Sequence, residues 1–153
     1  MTIVGQIKMD LYMHRMHGPA REQIEILSTL LAEIQKVGKD KGNRESTDTE
    51  SIYVIKKFIS GIDEMIIVLT KNGKNDIVKK LKDEKLVYEA YLPKQFFKEE
   101  LEKILHGFIF DDKHNVKNIG IVMKMLKENY TGLYDGGMAS EIAKTMLQEK
   151  NIS

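Results

Sequence analysis

Apolar residues recur in this chain at spacings of three and four almost from one end to the other. Ile24, Leu27, Leu30, Leu31 and Ile34 form one such stripe, and Ile52, Ile55, Ile59, Ile62, Met65, Ile66 and Leu69 form another. That spacing places side chains on one face of a helix, whereas a half-buried strand needs alternation at a period of two. Such alternation is scarce here, so the predicted fold class is all-α. The two prolines agree: Pro19 and Pro93 each read as a helix start rather than an interruption.

A first helix is expected over residues 3 to 15, with Val4, Ile7, Leu11 and His14 on its stripe. His17-Gly18-Pro19 is a turn. The second helix starts near Pro19 and has Gly38 as its stop, and residues 39 to 46 form a polar loop with some frayed helix. Thr47 or Thr49 caps a third helix of about five turns. Ser60-Gly61 in its middle permits a bend or a close helix crossing. After Lys71-Asn72-Gly73-Lys74, a fourth helix carries Ile77, Leu81, Leu86, Tyr88 and Tyr91 and ends at Leu92-Pro93. Residues 1 to 92 thus make an N-terminal four-helix domain.

Residues 93 to 153 read as a separate, small three-helix domain. Phe97, Leu101, Ile104 and Phe108 make the first apolar face, and a polar break over residues 111 to 115 follows. Val116, Ile119, Val122, Met123 and Leu126 line the second helix, and Met138, Ile142, Met146 and Leu147 line the third. So short a segment has a marginal core, helped by Phe97, Phe108, Phe110 and Tyr130.

Composition narrows the chemistry. Lys and Arg number 24 against 23 Asp and Glu, a formal net charge of +1, so no global field draws the chain to nucleic acid. With no cysteine there is neither disulfide nor thiolate chemistry nor a cysteine-based zinc site. No apolar run approaches the roughly 20 residues of a membrane span, and Met1-Thr2-Ile3-Val4-Gly5-Gln6 lacks the pattern of a secretory signal. A soluble cytoplasmic protein is expected.

Of the four histidines, His14 and His17 share a helix face, but no further ligand lies near them in sequence; they read as a helix-end pair. His106 flanks a packed face and His114 sits in a polar turn. Glu99, Glu100 and Glu102 suit a helical first turn, and Asp111-Asp112 lacks the alternating oxygen ligands of a calcium loop. No Ser-His-Asp or paired-carboxylate set can be assembled. No catalytic residue, metal site or cofactor is therefore assigned, and the chain reads as a binding module.

The most compact feature is the stretch from Lys117 to Met138, a helix, a glycine-rich turn and a second helix. Gly120 is read as a mid-helix glycine, which costs about 1 kcal/mol relative to alanine and points to a close helix approach. Gly132 ends the helix in a left-handed conformation, and Asp135 caps the next. The N–H groups after Gly136 and Gly137 could alternatively meet a phosphate, although Asp135 opposes that with its own charge. This is not a phosphate-binding loop of the Gly-Lys-Ser/Thr kind. The methionines, among them Met9, Met13, Met16, Met123, Met125, Met138 and Met146, fall mostly on apolar stripes and read as packing rather than as an adaptable binding surface.

Basic residues gather locally. Lys71, Lys74, Lys79, Lys80, Lys82 and Lys85 stand against Asp76, Asp83 and Glu84, and Lys36, Lys39, Lys41 and Arg44 form a second group. Lys117, Lys124, Lys127 and Lys144 dot the C-terminal pair of helices. Each group can touch phosphate without reading bases; each serves equally as a solvated surface.

Three motifs bear on family. Glu89-Ala90-Tyr91-Leu92-Pro93-Lys94-Gln95, Ile119-Gly120-Ile121-Val122-Met123 and Gly132-Leu133-Tyr134-Asp135-Gly136, at these separations, resemble the YqeY-like family. That family comprises stand-alone relatives of the C-terminal tail domain found in the tRNA-dependent Asp/Glu-tRNA amidotransferase. Residues 24 to 33 are similar to the family's early helix. The resemblance implies a helical N-terminal domain and a three-helix C-terminal domain of amidotransferase-tail type. It also implies a role beside tRNA or a tRNA-handling protein, and it carries a family label of carbon–nitrogen ligase activity with glutamine as amide donor, inherited from the larger enzyme. The matching residues are Tyr91, Leu92, Pro93, Gln95, Gly120, Val122, Met123, Gly132, Asp135 and Gly136. Leu133 and Tyr134 occupy the turn where relatives often carry basic residues. The rival expectation is a protein–protein module using Tyr130, Leu133 and Tyr134. Neither expectation fixes the oligomeric state.

Overall fold

The computed structural model describes residues 1–18, 20–111, 114 and 116–152. Among them the chain is all-α: seven helices and no strand. The helices are α1 (Ile3–Met16), α2 (Arg21–Asp40), α3 (Asp48–Lys71), α4 (Asn75–Glu89), α5 (Lys98–Phe110), α6 (Ile119–Tyr130) and α7 (Gly136–Ile152). They gather into two compact units, Met1–Leu92 and Pro93–Ser153, each with its own core.

In the first unit, the stripes of α1 to α4 converge. Val4, Ile7 and Leu11 meet Leu27, Leu30 and Ile34, with Val54, Ile55, Ile62 and Tyr88 completing the buried set. Local chemistry fixes where the helices begin. Thr2 caps α1 by accepting from the Gly5 N–H at 3.0 Å. Thr47, not Thr49, caps α3, and it does so reciprocally: Thr47 Oγ1 accepts from the Glu50 N–H while Glu50 accepts from the Thr47 N–H at 3.0 Å. Pro19 lies outside the described residues; Ala20 is the residue that precedes α2.

Four expectations need correction. The second helix runs past Gly38 to Asp40, because Gly38 is buried under the following loop rather than ending the helix; the turn is made by Gly42 and Asn43 at φ 119° and 56°. The third helix has 24 residues, about seven turns rather than five, since nothing in its sequence breaks it. Gly61 faces open space, so no close helix crossing explains it. On α4 the inward residue is Val78, one position after Ile77, and Leu86 is 64% exposed.

Glu50 does more than cap. Its side chain, 10% exposed, receives Arg44 at 2.7 Å and Lys41 at 3.4 Å. The Arg44 hydrogen bond, followed by that of the Thr47 N–H, lowers its pKa from 4.5 to about 2. The folded value lies below the unfolded one, so as pH falls the unfolded chain takes up this proton first. The contribution is complete above about pH 4.5 and is lost as pH falls through about 2. Glu50→Gln is therefore expected to flatten the acid side of the stability–pH curve across that window, as checked by urea unfolding at a series of pH values. A curve parallel to that of the unchanged protein would show that Glu50 is not the group responsible.

The second unit packs α5, α6 and α7 around Leu101, Leu105, Ile109, Val116, Val122, Leu126, Ala139, Ala143 and Leu147. Its helical faces are rotated from the expected ones. Leu105 and Ile109 point inward on α5, Phe97 is 62% exposed and precedes the helix, and Phe96 takes the inner place against Tyr130 at 5.3 Å between rings. Val116 is buried but lies before α6. On α7 the small Ala139 and Ala143 make the core contact, leaving Met138 39% exposed. Of the polar break, Asp112, Lys113 and Asn115 lie outside the described residues.

Candidate functional site

The motif residues divide between the two units and are largely structural. In the first unit, the Tyr91 hydroxyl donates to Asp10 Oδ2 at 2.5 Å, tying the end of α4 to α1. Burial, then that carboxylate, raises the Tyr91 pKa. Leu92 packs against the same core. In the second unit, Gln95 donates from Nε2 to the carbonyls of Pro93 at 2.9 Å and Gly132 at 2.7 Å, while the Phe96 N–H donates to the Leu133 carbonyl at 2.7 Å. The Leu-Pro-x-Gln segment is thereby fastened to the glycine turn, where Gly132 takes φ 79° as a helix-ending glycine does. Val122 is fully buried and Met123 packs beside it.

Gly120 is not mid-helix. It is the second residue of α6, and an added Cβ would meet only Asn118 Oδ1 at 3.3 Å. The close helix approach is therefore absent. Its position has another consequence: Gly120, Lys124 and Lys127 recur at i, i+4 and i+7, which puts them on one ridge. Lys124 and Lys127 are exposed, as is Lys117 just before the helix. Among the described residues, Lys117, Lys124 and Lys127 form no ion pair. Among the described residues, α6 brings no carboxylate of its own to its start: its cap is the neutral Asn118, accepting from the Ile121 N–H at 3.0 Å, and no acidic residue lies in its first turn.

The other candidates sit elsewhere. Gly136 and Gly137 open α7, exposed, but Asp135 Oδ1 already accepts from the Met138 N–H at 2.8 Å. A phosphate there competes with a resident carboxylate. Lys144 is exposed on α7, outside the α6 ridge. Lys41 and Arg44 are committed to Glu50, and Lys85 pairs with Asp63 at 2.7 Å. Tyr130, Leu133 and Tyr134 are half-buried, the two tyrosines against the second core, and burial raises the Tyr134 pKa. The apolar pattern hides the start of α6 by drawing Gly120 into the helix interior; Asn118, a cap residue, is the signal in the sequence that marks it.

No group of three or more His, Cys, Asp or Glu residues placed to hold a metal occurs among the described residues. No helix among them is long and apolar enough to cross a membrane.

The model of the Yqey-like protein family matches residues 6–147. The chain belongs to the YqeY-like family. No curated protein matches it. The match spans all three motifs, so in this YqeY-like chain the Gln95–Gly132 clasp and the glycine-started α6 lie within the family region.

Proposed function

We propose that this YqeY-like protein is a non-catalytic helical binding module that meets structured RNA, of which tRNA is the first candidate, through the ridge Lys117–Gly120–Lys124–Lys127 on α6. The supporting observation is the start of that helix, to which α6 brings no carboxylate of its own. Its N-terminal N–H groups and dipole favour an anion. Gly120 leaves the backbone uncovered between the lysines, so a phosphate chain can approach closely. Lysines suit contacts that position a nucleic acid without reading its bases. The residues divide into two domains at Leu92/Pro93, the first a scaffold and the second the binding part; the two separate cores support that division. The family's amidotransferase label then describes an associated enzyme rather than chemistry of this chain, and the site of action is the cytoplasm.

The test is binding of labelled total tRNA across a salt series. Lys124→Glu with Lys127→Glu is expected to weaken binding roughly tenfold or more at low salt and to lower the salt slope by about 2. Lys79→Glu with Lys80→Glu on α4 serves as the control and should change little. An unchanged isotherm for the α6 pair would remove this ridge from consideration, and no saturable binding at low salt would favour a protein–protein module.

A further inference from the structure

Met138, Ile142 and Met146 recur every four residues along α7, beside the Ala139–Ala143–Leu147 face that enters the core. They line an open groove of about 690 Å³ between α5 and α7. The two helices run side by side in the same direction. At one end Gln95, before α5, bonds the Gly132 carbonyl, before α7; at the other, Lys150 Nζ on α7 donates to the Ile109 carbonyl on α5 at 2.7 Å. α7 runs the length of the groove, and the start of α5 borders it through Lys98 and Glu102. Among the described residues that line it, Glu102 from α5, Asp135 before α7 and Glu141 and Glu149 from α7 are acidic and Lys98 is basic. None of Lys117, Lys124, Lys127 or Lys144 lines it.

We propose that this groove docks an amphipathic helix bearing lysines or arginines beside its apolar stripe. From Met138 to Met146 the floor extends about 12 Å along the helix axis, close to the rise of about 10 Å between anchors at i and i+7 of a docked helix. Methionine side chains adapt to the shape of such anchors. Carboxylates on both walls match cations flanking the stripe and repel a phosphate backbone, so the groove selects a basic peptide over RNA. This surface is distinct from the α6 ridge and stands or falls independently of it.

The full chain with isotopically labelled methionine methyl groups, titrated with a short leucine/lysine amphipathic helical peptide, decides the matter. The Met138 and Met146 resonances are expected to shift saturably. A twin peptide with glutamate for every lysine should leave them in place, and Glu141→Lys, an exposed change that leaves the helical spectrum intact, should weaken binding roughly tenfold. The proposal is overturned if neither resonance moves, if the acidic twin binds equally, or if only the exposed Met9, Met13 and Met16 of α1 respond. It is equally overturned if RNA, rather than the peptide, shifts Met138 and Met146.

Discussion

Gly38→Ala is expected to destabilise the first unit by about 3 kcal/mol or more, because the chain that follows α2 folds back directly onto this residue. A Cβ at Gly38 would lie 2.3 Å from the Arg44 carbonyl oxygen and 2.7 Å from the Ser46 nitrogen, both backbone atoms that cannot swing aside. The crossing is held by Ser46, which is buried, accepts from the Gly38 N–H at 2.8 Å and donates to the Ile34 carbonyl. Relieving the clash means lifting the loop. That breaks these bonds and displaces Arg44 from Glu50, which in turn loosens the cap of α3. Gly61→Ala is the matched contrast. An added Cβ there meets nothing within 4 Å, and the site is an exposed helix interior, so alanine should stabilise by about 0.5–1 kcal/mol. Denaturant unfolding of the two variants should move in opposite directions. Peptide-resolved hydrogen exchange should place the Gly38→Ala loss in residues 1 to 92. Equal stabilities for the two variants would mean the crossing is looser than its geometry.

These two glycines show where the sequence is readable and where it is not. The stripes of α2 and α3 are legible because burial of a helical face leaves a periodic record, and the converging cores use Leu27, Leu30, Ile34, Ile55 and Ile62 as that record implies. Gly38 and Gly61 look alike in sequence. What separates them is the path of a loop eight residues away, which periodicity does not encode. Similarly, α7 presents two adjacent stripes, one of Met138, Ile142 and Met146 and one of Ala139, Ala143 and Leu147. Hydrophobicity favours the first as core, but α5 and α6 pack closely against α7 and the smaller alanines accommodate them. Gly120 falls at a helix boundary rather than inside the helix because such a boundary shifts by a residue or two without altering the apolar pattern. Among the candidate cations, sequence marks every lysine but does not tell Lys41 and Lys85, held by carboxylates, from Lys124 and Lys127, which pair with none among the described residues.

Gln95 carries the second large effect, and its chemistry allows a sharper test than truncation. Both of its bonds go to carbonyl oxygens, so the atom facing Pro93 and Gly132 must be the amide nitrogen with its two hydrogens. Gln95→Ala leaves two partly buried carbonyls without this donor and is expected to cost about 1–3 kcal/mol. Gln95→Glu keeps the shape but turns an oxygen toward those carbonyls. At neutral pH the carboxylate is repelled by both, and the loss should exceed that of alanine. The arrangement disfavours the charged form, so the pKa of the new carboxyl is raised in the folded state. Because its folded value then lies above its unfolded one, protonation favours folding, and Gln95→Glu should regain stability relative to Gln95→Ala as pH falls toward the ordinary carboxylate range. A small core leaves little margin, so exchange protection should fall across residues 93 to 153. If glutamate were tolerated like glutamine at neutral pH, the donor assignment would be wrong, and the link between the Leu-Pro-x-Gln segment and the glycine turn would rest on the Phe96–Leu133 bond alone.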